Sequence, residues 1–151
     1  MLQLARPEDR SSINALAVQV HDLHVAWRPD IYEQTEDLWP QQRFDAAVAD
    51  RQLFCAKIDD QVVGYVLLSV RSCEVDGHVK RKVLVIDEIC VDKRLRNRGI
   101  GTEMMLGVRA IAKAFGCTDL QLGVYPQNNE AIAFYQKCGF RIRSIDMQMR
   151  L

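Results

Sequence analysis

Arg96-Asn97-Arg98-Gly99-Ile100-Gly101-Thr102 is the stretch on which the reading of this chain turns. It lies between an apolar run ending at Val91 and an amphipathic run that continues to Phe115. The first turn of a helix carries backbone N–H groups without intrahelical partners and the positive end of the helix dipole. A phosphate binds there if the backbone can approach it closely. Gly99 and Gly101 remove the Cβ atoms that would obstruct that approach. Arg96 and Arg98 add positive charge, and Thr102 adds a hydroxyl. Two better-known phosphate loops are excluded. No G-x-x-x-x-G-K-S/T occurs, and Gly99-Ile100-Gly101 is followed by Thr102-Glu103-Met104, without the third glycine of a dinucleotide fingerprint. Taken alone, the segment also fits a solvated basic loop that caps a helix.

Upstream of the turn, Lys82 to Val91 reads as a strand whose centre is too continuously apolar to face water. Leu53 to Ile58 and Val62 to Val70 read as two more strands, with Asp59-Asp60 as the turn of a hairpin. Glu74 to His78 is a polar loop. Nearer the start, Leu2 to Ala5 reads as an edge strand. Ile13, Leu16, Ala17, Val20 and Leu23 recur at helical spacing within a helix from about Glu8 to Trp27. Arg28-Pro29-Asp30 breaks it, and a shorter helix over Gln42 to Asp50 turns Phe44, Ala47 and Val48 to one side.

Downstream, Ile100, Met104, Val108, Ile111, Ala112 and Phe115 form one buried stripe of a helix stopped at Gly116. Asp119 to Tyr125 is a strand ended by Pro126. Asn129 to Cys138 is a helix stopped by Gly139, and Phe140 onward is strand-like. The order β-α-α-β-β-β-α-β-α-β predicts one domain over residues 1–151, an α/β fold with a mixed sheet and helices on both faces.

Bulk properties narrow the function classes. Lys plus Arg and Asp plus Glu are each 20, so no global charge points to nucleic acid or a membrane surface. No apolar run is long enough to span a bilayer, and the opening residues do not read as a signal peptide, so a cytoplasmic protein is expected. Cys55, Cys73, Cys90, Cys117 and Cys138 are widely spaced, without a C-x-x-C pair, which disfavours a disulfide framework and a zinc site. His21 and His24 stand i, i+3 on the first helix, but nothing nearby completes a ligand set, so no metal is expected. The cations of Lys93 to Arg98 have no interleaved aromatics, which argues against RNA.

A second segment sharpens the first. Asn128-Asn129-Glu130-Ala131-Ile132-Ala133-Phe134-Tyr135-Gln136-Lys137-Cys138-Gly139-Phe140 follows about thirty residues later. With Arg96, Gly99 and Gly101 opening one helix and Asn128, Ala131, Tyr135, Lys137, Gly139 and Phe140 on the next, the chain resembles the GNAT superfamily of acetyl-CoA-dependent N-acetyltransferases. The resemblance covers roughly residues 50–151; the N-terminal third matches in element order only.

The resemblance implies splayed parallel strands that form an acetyl-CoA cleft. Ile89, Cys90 and Val91 then border the acetyl and pantetheine portions, with Ile89 and Val91 offering backbone groups. Asn97, Arg98, Gly99, Ile100, Gly101 and Thr102 supply the pyrophosphate amides, helped by Arg96. Asn128 hydrogen-bonds the cofactor arm, and Lys137 approaches it further out. It implies direct acyl transfer, with Tyr135 as the acid that protonates the leaving thiolate; packing in the core is the other role open to Tyr135. The proton-accepting group is Glu88, then Asp87, or a water relay. On a regular strand the two carboxylates alternate, so at most one faces the acceptor. Trp27, Tyr32 and Trp39 either wall the acceptor site or pack.

The expected activity is acetylation of a small-molecule primary amine. Acetylation of a protein amine and non-catalytic acyl-CoA sensing are the alternatives. Only eleven residues follow Phe140, without a hairpin signal, so one continuous strand or a bent pair is expected there. That leaves the acceptor pocket open or completed by a partner subunit, hence a homodimer.

Overall fold

The computed structural model describes residues 2–151. Five strands form one sheet in chain order: β1 (Leu2–Leu4), β2 (Leu53–Ile58), β3 (Gln61–Cys73), β4 (Arg81–Val91) and β5 (Asp119–Leu122). The first four are antiparallel to their neighbours, and β4 pairs with β5 in parallel. Asp59 and Asp60 take the left-handed conformation, with φ of 49° and 61°. Short acidic side chains tolerate that region, which closes the β2–β3 hairpin where the acidic dipeptide predicts it.

The helices α1 (Arg10–Trp27), α2 (Gln41–Ala49), α3 (Ile100–Ala114) and α4 (Asn129–Lys137) cover both faces. On one face, Ile13 and Leu16 of α1 and Phe44 of α2 pack with Trp39 against Leu53, Cys55, Tyr65 and Cys90. On the other, Met104, Met105 and Val108 of α3 pack against Val66, Leu68, Leu84 and Ile86, with Phe134 and Tyr135 of α4 beside them. The parallel β4–β5 pair requires a crossover, and α3 provides it. Among the described residues, no helix is long and apolar enough to cross a membrane.

Asp9, 4 % exposed, anchors the start of α1 to β2. It receives Lys57 Nζ at 2.7 Å, the Arg6 backbone N–H at 2.9 Å and the Cys55 thiol at 3.6 Å. Burial alone would push the Asp9 carboxyl up. The Lys57 ammonium and the Arg6 N–H outweigh it and hold the carboxyl below its ordinary value.

Three expectations are corrected. Phe115 is exposed rather than part of the α3 stripe, because the helix ends at Ala114 and Gly116 turns the chain left-handed, at φ 69°; Met105 is buried instead. β5 stops at Leu122, short of Tyr125. Residues 141–151 form neither strand nor helix, and all are exposed. Their alternation of apolar and polar residues is a strand pattern, but a strand needs a paired edge, and β5 pairs with β4 alone among the described residues.

Candidate active site

The pairing of β4 with β5 runs from Val83–Asp119 to Ile86–Leu122 and ends there. β4 continues to Val91, while Gly123 to Pro126 turns away. The strands therefore splay, and the edge of β4 beyond Ile86 loses its β5 partner. A cleft of about 740 Å³ opens in the gap, bordered by Ile86 to Ile89 on one side and Gly123 to Asn128 with Tyr135 on the other.

β4 leads into the phosphate-type turn. Asn97 and Gly99 both have positive φ, 61° and 83°, and Gly99 is the residue that starts α3. The first intrahelical bond of α3 runs from the Glu103 N–H to the Gly99 carbonyl at 3.0 Å, so the N–H groups of Ile100, Gly101 and Thr102 precede it and remain free for a ligand. The two glycines differ in role. Gly99 supplies the left-handed turn with open space around it, whereas a Cβ on Gly101 would stand 3.2 Å from Phe134 Cζ. The bare backbone at Gly101 thus admits α4 as well as a ligand. Of the local cations, Arg94 is spent on its own neighbour: it pairs with Asp92 at 2.6 Å and holds that carboxyl down at about 2. Arg96 Nε donates to the Val91 carbonyl at 3.3 Å.

Asp87 and Glu88 both line the cleft, against the expectation that only one would. The cause is a register shift: Leu67 pairs with Glu88 and Leu68 with Ile86, so Asp87 is an extra residue that breaks the alternation. The Glu88 carboxylate is fixed by two donors, Arg43 Nη2 on Oε1 and the Tyr65 hydroxyl on Oε2 at 2.9 Å. Arg43 is itself positioned by the Trp39 ring 3.8 Å beneath it and the Leu38 carbonyl at 2.6 Å. Burial first, and then the Glu88 charge, raise the Tyr65 hydroxyl far above its ordinary value, so it remains a donor.

Tyr135 lines the cleft from α4, its ring packed edge-on to Phe140 and tilted against Phe134. Burial, then the neighbouring Cys138 and Cys90, push its hydroxyl up to about 12. Asn128 also lines the cleft, and its side chain caps α4 by accepting from the Ala131 N–H at 3.2 Å. Lys137 lies exposed on the last turn of α4, away from the cleft lining. The Cys90 side chain points into the core of the opposite face and donates to the Leu16 carbonyl at 3.4 Å. Burial pushes the thiol up to about 12.

The far end of the cleft brings Tyr32, one of the aromatics the sequence offers as an acceptor wall, together with His24 and with Tyr125, which the sequence reading leaves without a role. Tyr32 and Tyr125 share a hydrogen bond between their hydroxyls at 2.8 Å, and the His24 ring stands 5.1 Å from Tyr32 and 5.4 Å from Tyr125. Burial, then the charge of His21, lower the His24 pKa below its ordinary 6.5, while Glu88 opposes the shift. His24 is therefore biased toward its neutral form. His21 shares a hydrogen bond of 2.6 Å with the Glu33 carbonyl. Trp39 is fully buried in the core, so the aromatic end is built from Tyr32, Tyr125 and His24.

Comparison with known proteins gives a consistent result. The model of the acetyltransferase (GNAT) family matches residues 18–140. The peptidyl-lysine N-acetyltransferase YjaB of Salmonella typhimurium is 30% identical over 134 residues, 88% of this chain and 72% of that protein. Among solved structures, a mutant of the BH1408 protein from Bacillus halodurans superposes with a TM-score of 0.94 at 27% identity, covering 100% of this chain and 99% of that one. The aminoglycoside N-acetyltransferase AAC(6')-Iy in complex with CoA has a TM-score of 0.71 at 18% identity, covering 100% of both chains, and shares the fold. The matches to two further N-acetyltransferases, from Bacillus subtilis and Methanocaldococcus jannaschii, span 56% and 40% of those proteins, so the chain covers about half of their length.

Proposed function

The chain belongs to the acetyltransferase (GNAT) family, and from that premise we propose that it transfers an acetyl group from acetyl-CoA to the primary amine of a small molecule by direct attack. The observation that carries this reading is the cleft at the β4–β5 splay, which brings Tyr135 and Glu88 to its walls, with the free N-terminus of α3 packed beside α4 at Gly101. When bound, acetyl-CoA supplies the acyl group as an activated thioester. The residues present fit it: the α3 N–H groups and Arg96 and Arg98 suit a pyrophosphate, and the β4 edge at Ile89 and Val91 suits an extended amide-bearing arm, as an added strand would pair.

The side chains divide the remaining work. Glu88, fixed by Arg43 and Tyr65, attracts the ammonium form of the acceptor and takes its proton, directly or through water, with Asp87 as a second carboxylate on the same wall. The backbone N–H near Val91 stabilises the developing oxyanion. Tyr135 keeps its proton until the leaving sulfur takes it. His24, Tyr32 and Tyr125 bound the acceptor end.

A bounded cleft of this volume suits a small amine. Relatives named for L-amino acids and for aminoglycosides act on such amines. Peptide acetylation is the second reading, because the relative named for peptidyl-lysine aligns over most of this chain. The deciding experiment measures free-CoA release from acetyl-CoA against amino acids, polyamines, aminoglycosides and lysine peptides. Turnover confined to small amines supports the proposal, and turnover confined to peptides replaces it. Acetyl-CoA binding without turnover above the hydrolysis blank assigns the chain to acyl-CoA sensing.

The cofactor half has its own check. Gly99→Ala places a Cβ on a residue at φ 83°. It is expected to cost about 1 kcal/mol of stability, read as a lower urea midpoint. The KM for acetyl-CoA should rise severalfold, with the KM for the acceptor unchanged. An unchanged acetyl-CoA KM would place the pyrophosphate elsewhere.

A further inference from the structure

Ala17, Val20, His21 and His24 recur at helical spacing on α1 and turn one face of the helix to the cleft. Two of them are histidines, and the structure separates their roles. His21 Nε2 is engaged with the Glu33 carbonyl at 2.6 Å. Neither ring nitrogen of His24 has a hydrogen-bond partner among the described residues. The His24 ring is held by packing instead, with the Trp27, Tyr32 and Tyr125 rings at 5.9, 5.1 and 5.4 Å between centroids. Tyr32 and Tyr125 bond to each other at 2.8 Å, not to the imidazole. A half-buried imidazole, fixed in orientation and left without a partner, therefore borders the acceptor end.

An amine attacks through its lone pair, so an ammonium must first give up a proton. Both oxygens of Glu88 already accept a hydrogen bond, from Arg43 Nη2 and from the Tyr65 hydroxyl, which suits them to hold an ammonium by charge. The departing proton needs an open lone pair on a group that can return it to water. A neutral imidazole has that lone pair, and it is the side chain whose charge changes near neutral pH. The Glu88 charge acts on the His24 ring, so the two address the same space.

We propose that His24 is the proton acceptor for the amine, with Glu88 holding the ammonium in front of it, an inference that deepens the proposed function and rests on it. The ammonium gives one proton to a His24 ring nitrogen, which becomes imidazolium. The freed lone pair attacks the thioester carbonyl carbon and forms the C–N bond, and collapse of the adduct breaks the C–S bond. The sulfur takes the Tyr135 proton. The surplus proton on the new amide nitrogen passes through water to Tyr135 and restores it, while the imidazolium releases its proton to solvent. One ammonium and one thioester thus give one amide, one thiol and one free proton.

The groups around the ring set its pH dependence. Burial, then the His21 charge, disfavour the imidazolium, and Glu88 favours it. Asp87 and Asp146 add carboxylates to the cleft wall, whereas Arg28 is occupied by Asp30 at 2.7 Å. The hydrogen bond with Tyr125, then burial, push the Tyr32 hydroxyl up to about 12, so it stays uncharged. The balance sets His24 below its ordinary 6.5. The accepting form is therefore present above that value and is lost as the pH falls through the folded pKa.

The test is the pH profile of kcat for CoA release from acetyl-CoA, with whichever of L-lysine, spermidine, kanamycin and a lysine peptide is turned over, at saturating acceptor. The wild type should lose activity on the acid side with a midpoint below 6.5. His24→Gln should lower kcat at pH 7 about 30-fold, less than loss of a sole base because Glu88 and water remain, and should abolish that midpoint. His24→Ala should regain at least about tenfold of its lost rate with tens of millimolar imidazole, which a packing role would not allow. The urea midpoint of each variant shows that it folds. A His24→Gln profile that keeps the wild-type midpoint overturns the proposal, and so does a folded His24→Ala that imidazole fails to revive. Turnover that ignores His24 overturns this inference alone; a wild type that turns over none of the amines overturns the proposed function as well.

Discussion

Tyr135→Phe is expected to lower kcat about 10²-fold while changing the KM for acetyl-CoA less than about twofold. The substitution removes one hydroxyl and keeps the ring, whose packing against Phe134 and Phe140 should hold α4 in place. What is lost is the proton offered to the departing sulfur, an interaction realised in the transition state and not in the ground state. The pH dependence follows from the direction of the shift. Burial raises the Tyr135 pKa to about 12, so the hydroxyl stays protonated through the whole working range. The deficit of the variant should therefore be the same at pH 6 and pH 9. Initial rates of CoA release across that range check it; a loss below about fivefold, or one that disappears at low pH, would transfer the acid role from Tyr135 to solvent.

The parts of this picture that the sequence carried are those whose cause is local. The hairpin at Asp59-Asp60 and the glycine-opened α3 each depend on a few adjacent residues, and each lies where the pattern places it. The parts that were not legible depend on tertiary convergence or on one unpaired residue. Arg43 and Tyr65 reach Glu88 from different elements, 45 and 23 residues away, with no spacing rule to connect them. Tyr32 and Tyr125 meet across 93 residues. The bulge at Asp87 is hidden because one extra residue leaves the run's composition unchanged, yet it breaks the alternation that would set Asp87 and Glu88 on opposite faces. Of the two roles its position leaves open, Trp39 takes packing, against Phe44 and Tyr65 in the core. The 145–151 alternation was visible; whether a period-two segment becomes a strand depends on an available edge, which no sequence window contains.

Asp9→Asn should be the most destabilising of the polar substitutions discussed, at about 3 kcal/mol by urea unfolding. Lys57 is 11 % exposed and Asp9 4 %, so neutralising the carboxylate leaves an ammonium largely out of water without its counter-ion. Asparagine is close in shape and keeps an oxygen for the Arg6 N–H, so the loss reports the charge rather than a cavity. Removing both partners should cost much less than removing one: in Asp9→Asn/Lys57→Met the buried ammonium is gone as well, and most of the lost stability should return. The dependence on pH has a fixed sign. The folded-state carboxyl of Asp9 lies below its ordinary 3.8, so the stabilisation is complete above that value and is lost as the pH falls through the folded pKa. The gap between wild type and Asp9→Asn should therefore be full at pH 7 and should narrow below about pH 4. An equal gap at pH 7 and pH 3, or a double variant no more stable than Asp9→Asn, would show that the anchor at the start of α1 is held by packing instead of by the ion pair.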